Sequence, residues 1–525
     1  MTGNLPDVQV IRPVYRTTSH VTSPRALASE SLLPFALVAS GGVALLGLAA
    51  AMSWVEWRWT LVALCGASVI LPCGLLVLRG RLALFEPLTW FSVMFLLLFV
   101  LRPAWDLGHD EFAYAGTVIS PTFTRMLVAG LLAGNGFVLG YLAPAGGALA
   151  SRLPRPPSPE PRRLLVWSGV LLAIAVVAFA IFFLQAHGWR DPSGFFFRGE
   201  EWAEQLAAVP TATSKYFIAS IVLVIPSTLF LLYVRRSMGT GARVGRIAGW
   251  AAIAAITGFL LYNLVGGQRH YIIEMLGALA VYHYLRRGRR PSVLTLCAAA
   301  LVALLIVSGV RELREVPVGG GHAHSEQWLP WNATRQLFET KETGMAPALA
   351  AEMLVVPDDL HYTYGETTLL DPFVTLVPRQ LWHGKPQPAD QEVLAAVWGG
   401  RPCTYGAQCS TFSPFGAPYR DAGLVGVFFF ALLFGAFWRA AWVYFLTNRN
   451  APVALLAYSA LLPFMITWMR GNFIFAAIQV TLVLAVMVVG GALSRSDRAG
   501  GRITSREGNA PVALSGTTRA FRSRR

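Results

Sequence analysis

Runs of roughly 15 to 22 apolar residues, bounded by arginine, proline or glycine, recur along most of this chain, the length a helix needs to cross the hydrocarbon of a bilayer. They predict helices over Leu32–Met52, Thr60–Leu78, Pro87–Leu101, Met126–Ala143, Leu164–Leu184, Tyr216–Val234, Ile247–Val265, Tyr271–Leu285, Val293–Val310, Leu424–Phe445, Val453–Met469 and Phe473–Leu493. One stretch breaks the rhythm. Residues 311–421 are mostly polar, and a connection that long usually carries function. Within it, Trp331–Lys341 and Met345–Leu354 read as partly amphipathic helices able to lie on the membrane or cap the bundle. Thr368–Leu381 is apolar but short and interrupted by Pro372 and Pro378, which predicts a re-entrant or interfacial piece.

Composition supports this pattern. Of 525 residues, 55% are apolar and only 14% charged, and the mean hydropathy is +0.52, values that exclude a soluble multidomain protein. The fold class expected is an all-α polytopic membrane protein of about 12 transmembrane helices with one large external segment. The net charge of +15 does not point to nucleic acid, because the basic residues fall in short blocks between apolar runs. With the N-terminus inside, the two tails and the loops at 79–86, 144–163, 235–246, 286–291 and 447–451 hold roughly 26 basic and about 6 acidic residues. The other side holds roughly 16 basic and about 21 acidic residues, so both termini are expected in the cytoplasm and residues 311–421 outside. The organisation predicted is a disordered tail over 1–31, nine spans within 32–310, the external segment 311–421 as lid and site wall, three spans within 422–493, and a disordered basic tail over 494–525 that contacts anionic lipid. No removable signal peptide is expected at the N-terminus. The excess of arginine over lysine, with abundant Ala, Gly and Val, points to a bacterial plasma membrane.

No phosphate-cradling glycine loop, metal-ligand spacing or nucleophile elbow occurs, so neither cofactor nor metal is expected. The chemistry-bearing candidates are cations and acids near the outer helix ends. In the turn Gly266-Gly267-Gln268-Arg269-His270, Arg269 has little freedom to wander, and its guanidinium can grip phosphate in bidentate fashion or snorkel to lipid phosphates. Glu274 lies one turn deeper on the same face as His270, where it either pairs with His270 or Arg269 or orients the arginine. Arg470, in the turn Met469-Arg470-Gly471-Asn472, resembles Arg269 in placement. Arg314, with Arg311, leaves the ninth span either as a solvated face or as a reserve ligand. In the external segment Tyr364, Arg379, Trp382, His383 and Lys385 place aromatic surface for sugars beside cations for phosphate. Cys403 and Cys409 can close a small disulfide loop outside the cell.

Three places resemble the Wzy-type polymerases of bacterial surface polysaccharides, oligosaccharide repeat-unit polymerases related to the O-antigen ligases. They are the turn Gly266–Arg269 with the later basic block Arg286–Arg290, then Tyr364-Gly365 followed by Val377-Pro378-Arg379-x-Leu381-Trp382-x-x-Lys385-Pro386, and then Ser413 to Gly423 running into an apolar helix with Gly426 and Gly435. The likeness covers about the C-terminal half. Ala417 stands where family members often carry an acid, which leaves the identity of a base open.

The resemblance implies a GT-C-like, metal-independent glycosyltransferase that moves a growing glycan from undecaprenyl pyrophosphate onto the next lipid-linked unit. Its partners would be undecaprenyl-pyrophosphate-linked oligosaccharide, membrane lipids and the flippase and chain-length regulator of the same pathway. Arg269 and Arg379 would hold the pyrophosphate, with Arg420 and Arg470 as secondary cations. Asp421, His383, Asp371 and Glu366 are the candidates for a base. The alternatives are a ligase-like transferase to another acceptor and a non-enzymatic polysaccharide or lipid transporter; no internal repeat of the transporter kind is visible.

Overall fold

The computed structural model describes residues 42, 57–78, 83–185, 190, 219–239, 241–265, 269–292, 294–296, 298–299, 338, 343–377, 382, 384–385, 389–397, 413–471 and 473–494. Ten of the twelve expected spans meet a helix there. They are α1 (Trp57–Leu78), α2 (Pro87–Gly108), α3 (Phe123–Leu142), α5 (Pro161–Gln185), α6 (Ala219–Met238), α7 (Arg243–Val265), α8 (Arg269–Arg287), α12 (Gly416–Thr447), α13 (Pro452–Met469) and α14 (Phe473–Leu493), with the short α4 (Pro144–Arg152) after α3. The expected spans Leu32–Met52 and Val293–Val310 lie outside the described residues but for a few positions, as do both tails and Cys403 and Cys409. Eight of these helices are long and apolar enough to cross a membrane, and the chain is a multi-pass membrane protein. On α5 the exposed Val166, Val170, Ile174 and Val177 fall at helical spacing, an outward apolar stripe suited to lipid.

α2 runs seven residues past the expected end at Leu101. Arg102 and Pro103 read as a stop, but a π-helical turn over Leu97–Leu101 carries the helix through them. Arg102 pairs with Asp106 one turn on at 2.8 Å, both buried, so the charge that argued against continuation is neutralised within the helix.

Backbone contact fastens α3 to α12. A side chain at Gly140 would collide with the Leu432 carbonyl, one at Gly136 would meet the Phe428 carbonyl at 2.7 Å, and one at Gly435 would strike the Phe137 carbonyl. Gly136 and Gly140 are spaced as a small-xxx-small pair, which lets helix backbones approach where apolar burial gives no net drive. An aromatic ladder of Phe91, Phe95, Phe99 and Phe137 fills the adjoining core, with Phe91 and Phe137 stacked at 3.5 Å.

The helices alternate in direction, and the loops grouped by charge gather at one end. Tyr141 donates to Glu86 Oε1 at 2.8 Å, Tyr458 to the Phe85 carbonyl at 2.6 Å, and Tyr444 to the Pro154 carbonyl at 2.8 Å. The Glu160 amide donates to the Ser494 carbonyl at 2.6 Å. At the opposite end lie α9 (Met345–Val355), a π turn over Glu366–Leu370 leading into α10 (Asp371–Leu376), and α11 (Ala389–Val397). Two short strands, β1 (Ala113–Tyr114) and β2 (Thr117–Val118), pair antiparallel beside them. α9 does not lie on a membrane surface as an amphipathic helix would. Almost every residue from Met345 to Val355 is buried, because only Glu352 interrupts an apolar run and a helix apolar all round belongs inside.

Candidate functional site

The floor of the site forms where α8, α13 and α14 meet at the end away from the basic loops. α13 bends at Leu462–Pro463, where proline removes an amide donor, and the bend fits against Gly277 of α8, whose absent side chain leaves Pro463 Cβ 3.1 Å from the position a Cβ would take. One turn further along α13, Thr467 donates its hydroxyl to Glu274 Oε1, three residues before Gly277. Glu274 is 1% exposed, and its Oε2 has no hydrogen-bond partner among the described residues. Arg470 ends α13 close enough to act electrostatically on both Glu274 and His270. Gly471, at φ 97, then reverses the chain in a backbone region that favours glycine. Across the same junction Gln479 of α14, fully buried, reaches the Tyr271 hydroxyl at 3.5 Å, and the His270 ring lies 3.8 Å from that of Tyr271.

The wall is built on the first turns of α12. The helix is interrupted at Ala422 and Gly423, the latter at φ 61 with the Tyr362 hydroxyl 2.9 Å from where a Cβ would sit. Just before the break, Asp421 Oδ1 accepts from the Thr363 hydroxyl at 2.7 Å and the Thr367 amide at 3.0 Å, and Oδ2 accepts from the Thr368 amide at 2.9 Å. The Thr363 and Tyr364 amides bond to the Arg420 and Asp421 carbonyls. Arg420 is buried and pairs with Glu392 of α11 at 2.5 Å. The π turn packs on α12 and α10 packs on α14, so this segment joins wall to floor.

The structure gives several of the residues singled out in the sequence a defined place. Asp421 caps the helix that starts near Glu366, its carboxylate oxygens accepting from two amides and a hydroxyl. Lys385 is buried, and its Nζ donates to the Val377 carbonyl at 2.9 Å. Tyr364 is 86% exposed and Trp382 42% exposed, both available as aromatic surface. Arg269 is the first residue of α8, while its side chain, like Arg314, Arg379 and His383, lies outside the described residues.

Thr467 and Gln479 are the site residues that the sequence reading missed. Each is one of the few polar side chains in an apolar span, Thr467 beside Ser459 and Gln479 beside Thr481, a signal that could have singled them out. No family model matches the chain, and it has no match among the curated proteins or the solved structures.

Proposed function

We propose that this chain polymerises lipid-linked oligosaccharide repeat units into a surface polysaccharide at the outer face of a bacterial plasma membrane, with the basic end of the bundle in the cytoplasm. The reading takes the fold as GT-C-like with twelve spans and both termini inside. The acceptor hydroxyl attacks the sugar carbon bonded to undecaprenyl pyrophosphate, a new glycosidic bond forms as the hydroxyl proton passes to a base or to water, and the departing pyrophosphate takes the electron pair. Charge grows on the leaving oxygens, so guanidiniums fixed beforehand favour the transition state over the ground state.

The observation that carries the proposal is the buried Glu274 carboxylate, held by Thr467 and set beside Arg470 at a helix end. A carboxyl group is costly at this depth, and here it lies within electrostatic reach of a cation at the helix end, where a lipid-borne pyrophosphate would meet the bundle. Arg269 and Arg379 complete the grip on the pyrophosphate, and the exposed Tyr364 and Trp382 offer faces to sugars.

Purified protein given lipid-linked repeat units in detergent tests the proposal. New glycosidic bonds in that setting support it and exclude a transporter, which has no membrane to work across. In cells, deleting the gene leaves single repeats on the acceptor if the chain is a polymerase. Long glycan stranded on the lipid carrier would instead identify a ligase.

A further inference from the structure

Arg236 and Arg286 stand in the last turns of α6 and α8, two helices that pack together at the basic end. Arg286 is partly buried; its Nη1 donates to the Tyr282 hydroxyl at 3.1 Å, and its guanidinium carbon sits 5.7 Å from the centre of that ring. Arg236 is near enough to act electrostatically on both Arg286 and Tyr282, and Tyr233 joins the group. Among the described residues no carboxylate pairs with either guanidinium. The sequence supplies none close by: 235–246 and 286–291 hold eight arginines and no aspartate or glutamate.

Arg236 is exposed and Arg286 partly buried; two neighbouring guanidiniums without a paired carboxylate repel, and the burial of Arg286 adds to the cost. Burial, with Arg236 besides, pushes Arg286 below the usual guanidinium range. The helix C-termini offset part of this, but roughly half a charge per helix, spread over several carbonyls, does not balance two full charges. Among the described residues no anion balances the pair. Trp250, 71% exposed and one turn beyond Arg246 on α7, marks this level as the boundary between apolar spans and headgroups, where tryptophan gathers.

We propose that the basic end of the α6–α8 seam binds a lipid headgroup bearing two phosphodiesters, Arg236 and Arg286 each gripping one phosphate and the Tyr282 hydroxyl fixing Arg286. Planar guanidiniums suit paired phosphate oxygens in a way that ammonium groups do not. The site is independent of the chemistry at the opposite end.

The test is thermal unfolding of the full chain in phosphatidylcholine nanodiscs doped with diphosphatidylglycerol or with phosphatidylglycerol at equal total phosphate. The wild type is expected to unfold at a higher temperature with the two-phosphate lipid, and Arg236→Gln/Arg286→Gln should erase that difference. Arg236→Lys/Arg286→Lys keeps the charge and should also lose most of it, which preserves the test if the glutamine pair fails to fold. An equal response of the wild type to both lipids, or a difference retained in either double variant, overturns the proposal. Inorganic pyrophosphate reproducing the full shift overturns the lipid assignment in favour of a soluble anion.

Discussion

The hydroxyl of Thr467 donates to Glu274 Oε1 across the α8–α13 interface, linking residues 193 positions apart in sequence. Thr467→Val keeps the shape and removes the donor, leaving a buried carboxylate short of a partner. We expect a loss of about 1–3 kcal/mol, read as a lower unfolding midpoint in detergent, together with reduced polymer yield. An unchanged midpoint would show that the bond contributes nothing.

Arg269→Ala, Arg379→Ala and Arg470→Ala should each lower turnover by roughly tenfold to a hundredfold if charge-assisted phosphate contacts of about 1.5–3 kcal/mol are lost. Glycan length and yield in cells lacking the native gene measure this. Polymer unchanged in all three variants would remove the arginines from the reaction.

Asp421→Asn separates a cap from a base. As a cap, the substitution costs about 0.5–2 kcal/mol and exposes the 363–371 segment to protease, while turnover per folded molecule stays near normal. A base would give the reverse: normal stability and almost no turnover.

Gly140→Leu drives a side chain into the Leu432 carbonyl and should prevent α3 and α12 from assembling. Gly147→Ala, in α4 with open space around it, is the control and should leave the level of folded protein in membranes unchanged or slightly raised. Size-exclusion profiles of the two variants in detergent compare them directly.

Glu86 titrates above its ordinary 4.5, chiefly through burial and despite the hydrogen bonds from Tyr141 and Ala83 and the charge of Arg439. A raised folded value means that its contribution to stability is full below 4.5 and is lost as pH rises through the raised value. Unfolding midpoints should therefore fall from pH 4 to 7 more steeply in the wild type than in Glu86→Gln. Parallel curves would count against this.

The apolar runs revealed most of the helices because length and hydropathy alone decide what fits a bilayer. They hid α2's extension through Arg102-Pro103, since its continuation depends on a π turn and an ion pair that no hydropathy window registers. α9 is legible as a helix with two placements open, on the membrane or capping the bundle, and its near-unbroken apolar run favours the second. At the site, intramembrane Glu274 and the Arg470 turn were legible because charge is scarce there. Thr467, Gln479 and the cap by Asp421 depend on which helices meet, a relationship set by Gly277 against Pro463 and by the break at Ala422–Gly423.

That break has a mechanical meaning. Below it, α12 is clamped backbone to backbone against α3, so the two helices move as one post. Above it, Arg420 and Asp421 are tied to residues 363–368 and move with them. If the proposed function holds, a displacement that admits a lipid-linked sugar would be concentrated at Ala422 and Gly423, the break between the clamped post and the residues tied to 363–368.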